Sequence, residues 1–565
     1  MEQSEQPAAV SVVQATLALA LQRFQERRFA ESEALYRRAL ETFPANSDAL
    51  NMLGVVLAER GNPLLSLKYI DDAIRLAPGN AAYLTNRGEI LRRWGMLDEG
   101  LACCERAAAL DPSSPEARNN LGLALLGKAR FADAIPHLQA AIALRPGMAQ
   151  AHFNLGRALK GLERWTDAAL ALGDAVAADP RYADAWYELA TVQERLDDSA
   201  TSVKSCQKAL ECRAEFPEAL VALGDAWNSL RNAENAGNAY RRALQVSPGY
   251  AVASYQLSLC LLGQGHFAEG WKLYESRFDP AIPGAAAPPL MPIPMWQGED
   301  LLGKRLLVLT EQGYGDHIQF ARFVPLLARR GVDIVFGASP EMRELTATLE
   351  GVALTVTQVE DAWTSGCDYW TYVASLPLRL GIGAGRVPAV VPYLRVDPAR
   401  LESWEARLSE YGSALKVGLC WAGRPTHGND WRRSIPWERL APLAGARDVV
   451  FFSIQTGDRS DDAGCALDGI RLVRCEGELK DFADTAALLS ELDLLISVDS
   501  APVHLAGALG RPVWTLLPFQ PDWRWRLDET ISRWYPTMRL FRQQRSGDWE
   551  AVIARVAADL AAFRQ

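Results

Sequence analysis

A chain of 565 residues has room for two to four domains, each burying its own core. A net charge of −10 excludes a sequence-independent nucleic-acid binder, which needs a basic surface, and the want of a run of ~18 apolar residues excludes a membrane span. Nine cysteines without a CxxC pair, six scattered histidines and a polar, acidic start at Met1–Ala9 lead us to expect a soluble, cytoplasmic protein with neither disulfide framework nor zinc site.

The first half of the chain repeats itself. Prolines stand at Pro44, Pro78, Pro112, Pro146, Pro180 and Pro248, on a period of 34. Glycines hold the same phase at Gly54, Gly88, Gly122, Gly156 and Gly224, and so do alanines from Ala39 to Ala243. Small residues at fixed offsets allow two helices to cross closely, and proline ends the second helix because it cannot extend the hydrogen-bond ladder. This pattern resembles the tetratricopeptide repeat (TPR). It predicts an α-solenoid over residues 1–278, with seven complete repeats and a partial capping repeat from Ala251 to Phe278.

Two residues before the repeat glycines stand Asn86, Asn120 and Asn154. The spacing is similar to the asparagine ladder inside the superhelix of O-linked N-acetylglucosamine transferases. The resemblance implies that their amides hold the backbone of an acceptor peptide on the concave face. Met52 and Glu188 interrupt the register, and an asparagine that only decorates a helix is the plainer alternative.

Residues 279–300 are rich in proline and small residues and read as a linker. Short apolar runs then alternate with helical stretches: Arg305–Leu309, Val332–Phe336 and Val352–Val356, and after Pro392 Lys416–Trp421, Val449–Ile454, Arg471–Cys475, Leu494–Val498 and Pro512–Leu517. Alternation of this kind predicts parallel sheets. We expect two Rossmann-like halves, 301–400 for the acceptor and 401–565 for the nucleotide sugar, in the α/β GT-B arrangement.

The chemistry is expected at strand ends. The segment from Ile496 to Pro512 resembles the signature of heptosyltransferase-like enzymes, with Asp499 and Ser500 at the turn and His504 in the helix beyond. A helix N-terminus there suits a donor phosphate; Asp499 as a helix cap and His504 as a core residue are the plainer readings. Gly313-Tyr-Gly-Asp316, after the first strand, resembles the motif that opens the acceptor half of the same enzymes. Gly313 and Gly315 permit the tight turn beside the donor. By that resemblance Asp316 is the base that takes the acceptor proton, with His317 as the rival. Arg424 and Arg433, on the segment leaving the second half's first strand, suit a phosphate clamp. Gln455 and Asp484 are weaker donor-binding candidates, and Trp523 and Trp525 suggest an aromatic wall.

Taken over nearly its whole length, the chain resembles bacterial TPR-containing glycosyltransferases, some of which modify flagellin with nonulosonic acids. The resemblance implies an inverting, metal-independent enzyme with no cofactor beyond its donor, a CMP-, UDP- or GDP-linked sugar, and a flagellin-like acceptor protein as partner. A non-catalytic scaffold and a polysaccharide transferase are the alternatives.

Overall fold

The computed structural model describes residues 5–282, 284–285, 288–358, 366–383, 387–464 and 467–563, without the side chains of residues 5–11. The chain forms two compact units, Met1–Ala222 and Leu223–Gln565. Sixteen helices among the described residues, from Glu5–Gln25 to Phe267–Tyr274, make up eight pairs of the solenoid region.

The periodic residues do what their size predicts. A Cβ added to Gly54, Gly88, Gly122, Gly156 or Gly224 would lie 2.3–2.6 Å from a side chain sixteen residues on, at Ile70, Cys104, Leu138, Leu172 or Tyr240. The alanines Ala39, Ala73, Ala107, Ala141, Ala175, Ala209 and Ala243 are at most 2% exposed, so a larger residue would force the pair apart. The carbonyl of each accepts the closing N–H of its helix, from Phe43, Ala77, Asp111, Arg145, Asp179, Arg213 and Ser247. At most of these ends proline follows at once.

The second unit holds the last repeats and two parallel sheets. The first sheet contains β1 (Arg305–Leu309), β2 (Asp333–Gly337), β3 (Val352–Val356) and β4 (Tyr369–Tyr372), in the order β3-β2-β1-β4. The second contains β5 (Leu415–Cys420), β6 (Val449–Ser453), β7 (Leu472–Arg474), β8 (Leu494–Val498), β9 (Val513–Leu517) and β10 (Met538–Arg542), in the order β10-β9-β8-β5-β6-β7. Every pairing among these ten strands is parallel. Each sheet reverses its strand order once, between β1 and β4 and between β5 and β8. Open α/β sheets bind ligands outside the carboxyl ends of strands at such reversals. This is the arrangement expected of a GT-B protein.

The structure adds four details to the sequence reading. Strands β4 and β10 were not foreseen. The helical stretch after β1 forms as two helices, Tyr314–Ala321 and Val324–Ala328. Residues read as linker join the first sheet: Met295 pairs with Trp370, and the Trp296 N–H donates to the Trp370 carbonyl at 2.7 Å. The last helix, Trp549–Ala562, packs its buried Trp549, Val552, Ile553 and Val556 on the second sheet beside Trp514 and Phe541.

A continuous core runs through the unit. It joins Leu262, Phe267, Trp271 and Tyr274 of the last repeat to Phe320 and Phe323 of the first half and to Trp523, Trp525 and Trp534 of the second.

Candidate active site

The helix Tyr314–Ala321 leaves β1 at its reversal point, and Asp316 stands in its first turn. Asp316 Oδ2 accepts the Gly313 N–H at 3.1 Å, tying the helix start, and Oδ1 accepts from the Arg524 guanidinium. His317 is buried, and neither of its ring nitrogens has a hydrogen-bond partner among the described residues. Burial, opposed by neighbouring Asp316, holds His317 below the usual histidine range, so the imidazole is neutral at pH 7.

The helix Ala501–Ala508 leaves β8 at the second sheet's reversal point. The Ser500 hydroxyl turns back to the strand end, 3.0 Å from Ser497 Oγ and 3.2 Å from the Val498 carbonyl, instead of capping the helix. The first turn offers few free amides, since Pro502 has none and the Val503 N–H bonds the Ser500 carbonyl at 3.2 Å. Asp499 is 16% exposed. Burial first, and repulsion from Asp522 second, push its carboxyl up to about 6, against the pull of Arg433.

These two helices press together. A Cβ on Gly315 would lie 2.8 Å from His504 Cδ2, so only glycine allows the approach. His504 is buried between Tyr535, whose hydroxyl is 3.0 Å from Nδ1, and Trp525, at a centroid distance of 5.3 Å. Its Nε2 is 3.9 Å from Asp499 Oδ1. Burial, with help from Arg524 and Arg322, holds His504 well below the usual histidine range, so it meets Asp499 uncharged. The structure thus brings Gly315, Asp316, Asp499 and His504 to one place.

Arg524 links the two halves. Besides Asp316, it donates to Gln319 Oε1 and, at 2.9 Å, to Asp522 Oδ1. Burial works against its charge, but Asp522 and Asp316 outweigh burial and keep it protonated. Neither Arg524 nor Asp522 figured among the sequence candidates. The alternation Trp523-Arg524-Trp525 was the available signal, since rings that wall a core commonly shield a charge between them. Trp523 and Trp525 are both buried, Trp523 edge-on to Trp271 and Trp534. Beside them lies a cavity of about 250 Å³ lined by Leu262, Phe267, Trp523, Arg524, Arg526 and Arg533, among others.

The remaining candidates divide. Arg433 lies over the β5 exit, its Nη1 donating to the Asp499 carbonyl at 3.1 Å and its Nε 3.3 Å from Asp430 Oδ1. Asp430 is buried and accepts from Ser434, whose hydroxyl accepts the Gly423 N–H at 3.0 Å. Gln455 is also buried, and its Oε1 accepts the Trp421 and Ala422 N–H groups at 3.2 and 2.9 Å, so its acceptor serves the backbone of the loop. Arg424 is exposed on that loop. Asp484 accepts from Arg400 at 2.6 Å and from the Lys480 N–H at 3.1 Å, and its carboxylate is spent on that cluster.

In the first unit the ladder asparagines bond to other asparagines outside their register. Asn86 donates to Asn51 at 3.2 Å, Asn154 donates to Asn119 at 3.0 Å, and Asn119 donates to Asn120 at 3.2 Å. Asn154 is 4% exposed. Asn51 and Asn119, each 35 residues before its partner, were missed because a search at a period of 34 steps over them.

Comparison with known proteins agrees with this division of the chain. The tetratricopeptide repeat family matches residues 17–81, 59–115, 85–149, 119–170 and 153–217, and the glycosyltransferase family 9 (heptosyltransferase) family matches residues 437–527. The chain is a TPR protein with a glycosyltransferase family 9 domain. The matched segment contains Gln455, Asp484, Asp499, Ser500, His504 and Arg524. Protein FlbA of Caulobacter vibrioides is 32% identical over 400 residues, covering 66% of this chain and 66% of FlbA. Solved structures similar to part of the repeats include a TPR protein from Parabacteroides merdae, at 15% identity, 44% of this chain, 98% of that chain and a TM-score of 0.35. A second is Pseudomonas aeruginosa pilF, at 19% identity, 38% of this chain, 96% of that chain and a TM-score of 0.34. No described helix of this TPR–glycosyltransferase chain is long and apolar enough to cross a membrane.

Proposed function

We propose that this chain is an inverting, metal-independent GT-B enzyme of the cytoplasm. In this reading it transfers a sugar from a nucleotide-activated donor to Ser or Thr hydroxyls of an acceptor protein bound by the repeats. The candidate acceptor is flagellin and the candidate sugar a nonulosonic acid. The observation that carries the reading is the contact of the two strand-end helices, Gly315 against His504, which sets the Asp316 turn beside the Asp499 turn.

Each residue then has a task. Asp316 removes the proton as the acceptor oxygen bonds to the anomeric carbon, and the bond from that carbon to the nucleotide oxygen breaks with its electron pair. Arg524, paired to Asp316, aims the carboxylate. Arg433 receives the departing phosphate beside the Ser500 turn, and Gln455, Asp430 and Ser434 hold the loop on which Arg433 lies.

The test is intact-mass measurement of flagellin co-expressed with the chain, with the Asp316→Asn variant, or alone. The reading expects a mass increment of whole sugar units with the unaltered chain only. Unmodified flagellin in every arm would overturn the choice of acceptor, and an increment with Asp316→Asn equal to that of the unaltered chain would overturn the assignment of the base.

A further inference from the structure

The last helix pair does more than end the repeats. Tyr274, the final residue of the helix Phe267–Tyr274, is buried, and its hydroxyl donates to Gln312 Oε1 at 2.9 Å. Gln312 has a φ of +65°, in the left-handed region that a residue other than glycine keeps only where its surroundings enforce it. Three residues beyond Tyr274, Arg277 is 3% exposed. Its Nη2 and Nε grip Glu311 Oε1 and Oε2 at 2.6 and 3.2 Å, and it also donates to Ser375 Oγ at 2.8 Å and the Tyr274 carbonyl at 3.1 Å. Its plane lies over the Phe278 ring at 4.1 Å. Glu311 and Gln312 are the two residues directly before the Gly313–Asp316 turn.

We propose that Tyr274 and Arg277 are positioning residues for that turn, which makes the last repeat a part of the catalytic unit and not a tether to it. A two-pronged guanidinium–carboxylate pair shielded from water fixes the Glu311 side chain in direction as well as distance. The hydroxyl on Gln312 then holds the strained residue through which the backbone swings from β1 into the helix. Misplacing a reacting group by about 1 Å costs on the order of 10²-fold in rate, so a clamp on Glu311 and Gln312, close before Asp316 in the chain, is well placed to govern turnover. The proposal rests on the reading of Asp316 as the base.

Tyr274→Phe is the decisive variant, because it removes only the hydroxyl and keeps the ring against Trp271 and Tyr255. In the full chain, hydrogen–deuterium exchange of peptides covering residues 310–317 should quicken by about tenfold, while those covering 494–508 stay unchanged. With flagellin and a CMP-linked nonulosonic acid, kcat should fall by a similar factor and KM for the donor should hold. Gln312→Ala should reproduce both effects, and the double variant should add nothing further. Unchanged exchange at 310–317, or losses that simply add, would overturn the proposal. So would a lowered melting temperature with an unchanged kcat, which is the mark of a purely structural tyrosine. The exchange experiment needs no substrate, so it decides this inference even if Asp316→Asn proves fully active.

Discussion

Replacing Asp499 by asparagine should make the protein more stable, and the gain should depend on pH in a defined direction. In the native state its carboxyl titrates at about 6, against an ordinary 3.8. Between those values the folded protein holds a proton that the unfolded chain has released, so stability falls as pH rises through the window and the full cost is present above it. A shift of about two units corresponds to roughly 3 kcal/mol. Asparagine keeps the shape and carries no charge to bury beside Asp522, so Asp499→Asn should raise stability by up to that amount near pH ~8, about 5 °C in melting temperature. Near pH ~5 about half the gain should remain, and below the ordinary carboxylate value almost none. Thermal unfolding of both proteins across this range at fixed ionic strength measures the difference directly. A destabilised variant near pH ~8, or a difference that does not change with pH, would refute the reasoning. The first result would mean that the pull of Arg433 outweighs burial.

Other outcomes follow from the same geometry. Gly315→Ala should drive the two strand-end helices apart at His504 and lose ~1–3 kcal/mol, read as a lower unfolding midpoint; unchanged stability would deny the close approach. Asp316→Asn should lower turnover by roughly 10²–10⁴-fold while nucleotide binding persists, as calorimetry with CMP and UDP can establish. Arg433→Ala should weaken the binding of those nucleotides, and equal affinity would remove it from the donor site. Asn86, Asn120 and Asn154 replaced together by alanine should weaken flagellin capture; because two of these asparagines bond to the preceding repeat, the same change should lower repeat stability by ~1 kcal/mol per lost bond.

The repeats were almost fully legible in the sequence, because each needs a small residue where two helices cross, and that need returns every 34 residues. Most strands were legible for a related reason, as apolar runs bounded by charge. Strand β4, Tyr-Trp-Thr-Tyr, is too short to show a period, and in β10 Arg539 and Arg542 leave an apolar run of only two residues between them. The site was legible at its strand ends and obscure elsewhere. Asp316 and Asp499 stand on motifs with fixed spacing, whereas Arg524, Asp522, Tyr274 and Arg277 reach them from distant segments. Asp484 had the right residue type beside the right helix, but its nearest cation is Arg400, a partner 84 residues away in the chain that no local pattern reveals.

The repeating contacts of the first unit and the singular contacts of the last repeat set different rules for change. A glycine that meets the side chain sixteen residues on finds its partner inside its own repeat, whatever that residue is, so the contact travels with a 34-residue block. The pair that ends in Tyr274 and Arg277 has partners that occur once in the chain. Lineages are therefore free to lengthen or shorten the array from its N-terminal side, while the pair nearest the sheets must be inherited together with the turn it grips. Engineered chimaeras that exchange repeats should be cut in the turn before the helix Pro217–Ser229, not at the visible end of the helices.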